Sequence, residues 1–114
     1  MSVVQTVFLK RADLPAPRVW QAAITAAGFD VQIDPNFDPL THSGFLPATY
    51  HGKPGGFEYE LDRAMDMEGV EGVEGLDAMV AFITHADLRE LATSVIAAAA
   101  LAYLTYFHNP SPLV

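Results

Sequence analysis

The sequence predicts an α+β two-layer sandwich: a mostly antiparallel sheet of about five strands with two helices on one face, in the order β-α-β-β-β-β-α. Three observations lead there. Short stretches rich in β-branched and aromatic residues recur along the chain. Turn signals between the central ones favour hairpins, and two segments carry the apolar period of a helix. At 114 residues the chain has the length of one domain, 1–114, with 109–114 as a tail.

Val3 to Leu9 alternates and carries Val3, Val4, Thr6, Val7 and Phe8, which predicts a first strand. Asp13 reads as an N-cap, with Pro15 in the first helical turn, where a missing N–H is harmless. Val19, Trp20, Ala23, Ile24 and Ala27 then follow the spacing of a one-sided helix, and Gly28 ends it. A short strand is expected over Phe29 to Asp34, with Phe29, Val31 and Ile33 on one face. Pro35 and Pro39 bound a loop. Two strands follow, Phe45 to His51 and Gly56 to Asp62, around a turn at Gly52-Lys53-Pro54-Gly55. Phe57, Tyr59 and Leu61 share one face of the second strand, and Glu58, Glu60 and Asp62 the other, as in a half-wet antiparallel sheet. Pro47 implies an edge position or a bulge. The glycines in the triplet repeat from Glu68 to Gly75 predict a loose acidic loop. A last strand covers Ala78 to Thr84. Asp87 and Glu90 then have the spacing of a capping box and open a long helix to about Phe107.

Composition narrows the functional classes. Hydrophobic residues make up 51% of the chain and charged residues 18%, which excludes intrinsic disorder. Six Lys and Arg against fourteen Asp and Glu give a net charge of −8, so neither nucleic acid nor an anionic membrane is expected as a partner. The absence of cysteine removes disulfides, thiolate metal sites and cysteine nucleophiles together. The N-terminus shows neither the basic nor the long apolar region of a signal peptide, and the cytoplasm is the expected location. The longest apolar run, Val95 to Phe107, is too short and too rich in alanine for a membrane span and predicts a buried helix.

Reactive patterns are weak. Asp34, Asn36 and Asp38 have the opening spacing of a calcium loop, but Pro39 and Phe45 stand where Gly and Glu are needed; a turn capped by short polar side chains is expected. His42, His51, His85 and His108 lack helical metal-ligand spacing, so no metal and no cofactor is expected. A zinc site would have to assemble in space from His42, His51 and Asp38. No serine lies in a nucleophile elbow, and Gly52-Lys53-Pro54-Gly55-Gly56 runs into a strand rather than a helix. Glu58 and Glu60, about 7 Å apart along a strand, suit acid–base work only within a cleft. No catalytic residue is therefore assigned.

Charge is more informative. From Glu58 to Asp77 there are eight acids, Glu58, Glu60, Asp62, Asp66, Glu68, Glu71, Glu74 and Asp77, against one base, Arg63. Such a stretch keeps an apolar protein soluble, or steers a basic partner. The last helix carries more apolar surface than one sheet face covers, particularly at Ile96, Ala99, Tyr103 and Tyr106, which predicts a homodimer through that helix.

Ser43-Gly44-Phe45-Leu46-Pro47-Ala48-Thr49-Tyr50-His51-Gly52, then Gly56-Phe57-Glu58-Tyr59-Glu60, carries a resemblance, together with Ala27-Gly28-Phe29, the Asp34 to Pro39 loop and the Ala-rich helix. These segments resemble a group of small, acidic bacterial proteins with no assigned activity. The resemblance covers most of the chain, rests on turn and strand residues, and implies no catalytic residue. Two functional readings stand. The first is a non-catalytic protein-interaction module, for which an immunity-type inhibitor of a basic toxin is an analogy. The second is a small enzyme or ligand-binding domain, with His42, Tyr50, His51, Glu58 and Tyr59 around a pocket between sheet and helices.

Overall fold

The computed structural model describes residues 2–63, 76–85 and 87–107. Its strands are β1 (Ser2–Leu9), β2 (Val31–Ile33), β3 (Gly44–Tyr50), β4 (Lys53–Arg63) and β5 (Ala78–His85); its helices are α1 (Pro17–Ala26) and α2 (Leu88–Ala102). All neighbouring strands pair antiparallel, in the spatial order β1-β5-β4-β3-β2. The chain thus meanders from β2 to β5, while β1 joins at the far edge. α1 links the two opposite edges, and both helices pack on one sheet face. The α+β order read from the sequence is the order observed.

α1 starts later than expected. Asp13 lies in a short 3₁₀ turn, Arg11–Asp13, whose Arg11 N–H donates to the Asp77 carboxylate at 2.7 Å. Pro15 sits in the extended link that follows, and Pro17 is the first helical residue behind Ala16. The reason is local. A residue that precedes proline is pushed out of the helical region, so the two prolines hold residues 14–16 extended. At the other end Gly28, at φ +91°, terminates the helix as expected, with Phe29 N–H reaching back to Ile24 O.

β2 is also shorter than expected, because the turn at Gly28 carries Phe29 away from the strand and leaves it half exposed. Its outer edge is not left open. The Gln21 side chain on α1 donates to Val31 O at 2.7 Å and accepts from Ile33 N–H at 2.8 Å, standing in for a sixth strand.

The central hairpin turns on His51 and Gly52 alone, with φ of +51° and +78°, and Tyr50 pairs with Lys53. Two consecutive left-handed residues match the twist of the flanking strands, so Lys53 to Gly55 belongs to β4 rather than to the turn. Pro47 sits in an interior strand without a bulge, opposite Gly56. Its carbonyl accepts from Asp34 N–H just past the end of β2. The Pro47 nitrogen faces the same side, so its missing N–H removes nothing from the β3–β4 ladder.

Opposite Pro47, Gly56 extends beyond the last β4–β5 pair, Glu58 with Ile83. A helix takes the place of the missing strand there. Thr93 Oγ1 on α2 accepts from Gly56 N–H at 3.3 Å, and its own proton faces Glu90 O at 2.8 Å and Gly56 O at 3.3 Å. Thr93→Val strands that buried N–H and is expected to cost about 1–2 kcal/mol in a urea titration. Thr84 is the opposite case: its buried hydroxyl has no partner among the described residues. Thr84→Val is therefore expected to be neutral or to stabilise by up to about 1 kcal/mol. Equal losses at both positions would mean that the hydroxyls do not differ as described.

Asp87 caps α2 as the spacing predicts, accepting from Arg89 N–H and Glu90 N–H. After Ala102 the helix widens into a π turn, Tyr103–Phe107. Thr93, Ser94, Ala97, Ala98 and Leu101 are buried beneath α2, whereas Leu88, Val95 and Tyr103 are exposed. Among the described residues, the sheet and α1 cover one face of α2. Leu88–Thr105 is long and apolar enough, by length and composition alone, to cross a membrane. The core centres on Trp20, which is fully buried against Phe37, Tyr59 and Phe82, with ring centroids 6.0–6.2 Å away. Its indole N–H donates to Ala97 O at 2.9 Å and ties α1 to α2. The expected acidic loop over Glu68 to Gly75 and the expected tail lie outside the described residues.

Candidate functional site

With both helices on one side, the other face of the sheet is bare among the described residues. Alternation decides what it shows. Phe57 and Tyr59 on β4, Val80 and Phe82 on β5, and Val7 and Leu9 on β1 point inward and are buried. The residues between them point outward. Register then sets these into rows. Val4 lies opposite Ile83, Ile83 opposite Glu58, and Glu58 opposite Phe45. In the next rows Thr6, Ala81 and Glu60 align, then Phe8, Met79 and Asp62. The face is therefore a carboxylate stripe on β4, flanked by apolar side chains of β1, β5 and β3. Val4 and Phe45 are each more than half exposed.

The stripe carries its own hydrogen bonds. Ser43 Oγ donates to the Glu60 carboxylate, at 2.7 Å to the nearer oxygen. Glu58 Oε2 lies 3.0 Å from His85 Nε2, and His85 Nδ1 lies 3.2 Å from Ser2 Oγ. This Ser2–His85–Glu58 chain is not legible in the sequence, because it depends on the pairing of three strands. It has the groups of a hydrolase triad but not the setting. The His85 and Glu58 side chains are 62% and 43% exposed, and a flat, wet face neither excludes water nor holds a substrate against a nucleophile.

The residues grouped around a pocket do not converge. His42 lies before β3, edge-on to Phe37 and tilted against Tyr59, with its Nε2 3.0 Å from Phe45 O. Tyr50 and His51 stand at the far end of β3, about 20 Å along the strand, where His51 Nδ1 is 3.6 Å from the Asp30 carboxylate. Glu58 points out of the opposite face. Tyr59 is buried and donates to Pro39 O at 2.8 Å. Burial, and then the Asp38 carboxylate, raise the phenol's pKa above its ordinary value, with Arg11 opposing, so the hydroxyl stays a neutral structural donor. The space between sheet and helices around it is filled by Trp20, Phe82 and Phe57.

His42 and His51 are separated by the length of β3, and no cluster of three metal-ligating side chains occurs among the described residues. Asp34 and Asp38 instead accept from Asn36 N–H and Leu40 N–H at 2.9 Å, closing two turns. Of the eight acids, Glu58, Glu60 and Asp62 share the open face. Asp77 binds the Arg11 backbone, and Asp66, Glu68, Glu71 and Glu74 lie outside the described residues. Comparison with protein-family models, with curated proteins and with solved structures finds no match.

Proposed function

We propose that this chain is a non-catalytic interaction domain of the cytoplasm that binds a basic protein partner on the open face of its sheet. The observation that carries this reading is the face itself: Glu58, Glu60 and Asp62 in one stripe, between apolar rows that no described element covers. Carboxylates steer a basic partner and set its orientation, while desolvation of Val4, Ile83, Phe8, Met79 and Phe45 holds it. An immunity-type inhibitor of a basic toxin is the class this suggests, by analogy of size and charge.

The test compares two baits, the wild-type chain and the triple variant Glu58→Gln, Glu60→Gln, Asp62→Asn. A basic protein is expected to be retained by the wild type at about 0.1 M salt, and lost both from the variant and at about 1 M salt. Equal retention by the two baits, or at the two salt concentrations, overturns the reading.

A further inference from the structure

On the opposite side of the molecule, the C-terminal half of α1 and the second half of α2 enclose a groove of about 400 Å³. Ala23, Ala26 and Ala27 line it from α1 and its C-cap, and Ala99 and Ala100 from α2. Alanines on both walls keep the floor low, while Phe29 and Tyr103 stand half exposed at its rim. We propose that two copies of this chain associate helix layer against helix layer, the aromatic rim of each copy filling the alanine groove of the other.

Three features select a second copy as the occupant. Knob and hole lie on one patch, which is what a two-fold interface requires, since each copy must present both. Charge selects the same arrangement. At a net charge of −8 two copies repel, yet no residue from Leu91 to Phe107, and none lining the groove, is charged. Pairing there leaves Glu58, Glu60 and Asp62 on the two outer faces, separated by two helix layers of about 10 Å each. That exceeds the Debye length of about 8 Å at physiological salt. Area sets the strength. Ten and fifteen residues make α1 about 15 Å and α2 about 22 Å long, a patch below the roughly 800 Å² per partner of a standard interface. The dimer is therefore reversible, with a Kd in the micromolar range, as is usual for small interfaces. It does not depend on the sheet-face reading, because the groove and the carboxylate stripe lie on opposite faces.

Sedimentation of the full chain from about 1 to 200 μM spans that range and is expected to move its mass from 12.3 kDa towards twice that value. Ala99→Glu places like charges across the two-fold axis and is expected to weaken association at least about 100-fold, with an unchanged circular dichroism spectrum. Phe29→Ser, at an exposed position off both helices, supplies the same test if Ala99→Glu fails to fold. Thr6→Lys, on the unpaired edge of β1, is expected to leave the dimer intact. A constant 12.3 kDa overturns the proposal. So does a dimer that survives both groove variants, or one that Thr6→Lys dissociates, because the copies then pair through their β1 edges. A monomer that carries an apolar small molecule in native mass spectrometry, lost in Ala99→Glu, assigns the groove to a ligand and also overturns it.

Discussion

Trp20→Ala is expected to destabilise the protein by about 3–5 kcal/mol, a large share of the roughly 5–15 kcal/mol that holds a domain of this size together. The side chain is fully buried and is the meeting point of three elements. Phe37 comes from the loop after β2, Tyr59 from β4 and Phe82 from β5, and each presents a tilted or edge-on ring. Alanine removes this contact area together with the indole N–H that bonds Ala97 O on α2. Such a cavity cannot collapse by one neighbour's movement, because its walls belong to the sheet and to both helices. Trp20→Phe keeps most of the ring and loses the hydrogen bond, so a smaller loss of about 1–2 kcal/mol is expected. Trp20 is the chain's one tryptophan, so the titrations are followed by circular dichroism rather than fluorescence. A loss below about 1 kcal/mol for alanine, less than even a typical buried large-to-small substitution, would falsify the central placement of this ring.

The inward face of the fold was legible because burial repeats with the period of the element that makes it. Phe57 and Tyr59 alternate with Glu58 and Glu60, and Trp20 and Ile24 recur at helical spacing; the structure buries the first pair and the last. Pattern gives way where a single residue acts through backbone geometry. Pro17, not Asp13, sets the start of α1. His51 adopts a left-handed conformation that made the hairpin turn two residues long, and a sequence reading has no reason to prefer it over the glycines that follow. The interior position of Pro47 depends on where β2 ends, which is a tertiary fact.

The outer face was half legible. Alternation along β4 places Glu58, Glu60 and Asp62 together, so the stripe follows from one strand alone. Its neighbours do not. Ser2, His85, Phe45 and Val4 reach it only through strand order and register, and those are fixed by long-range packing. The same holds for the groove. Ala99 and Tyr103 read as surplus apolar surface on the last helix, whereas Phe29 and the α1 alanines join them only because α1 and α2 lie side by side. The side chain of Tyr106, grouped with them in the sequence, lies outside the described residues.

Gly56→Ala is expected to cost about 2–4 kcal/mol, from backbone strain and overpacking combined. Gly56 has a φ of +122°, a region that side-chain-bearing residues rarely adopt. A Cβ there would lie 2.6 Å from Phe45 Cζ and 2.7 Å from Leu46 O. The ring can swing away into solvent, being half exposed on the outer face. The carbonyl cannot, because it belongs to β3 within the paired sheet. Gly52 provides the control, with a φ of +78° and nothing within 4 Å of an added Cβ. Gly52→Ala therefore meets conformational strain alone, about 1–2 kcal/mol. Phe45→Ala should relieve only the ring's part of the Gly56→Ala loss, so a double-mutant cycle between the two is expected to recover less than half of it. Complete recovery would place the whole effect in the ring contact and leave the close approach of β3 to β4 without energetic consequence. If Gly56→Ala costs no more than Gly52→Ala, the crowding at Leu46 O is absent in solution.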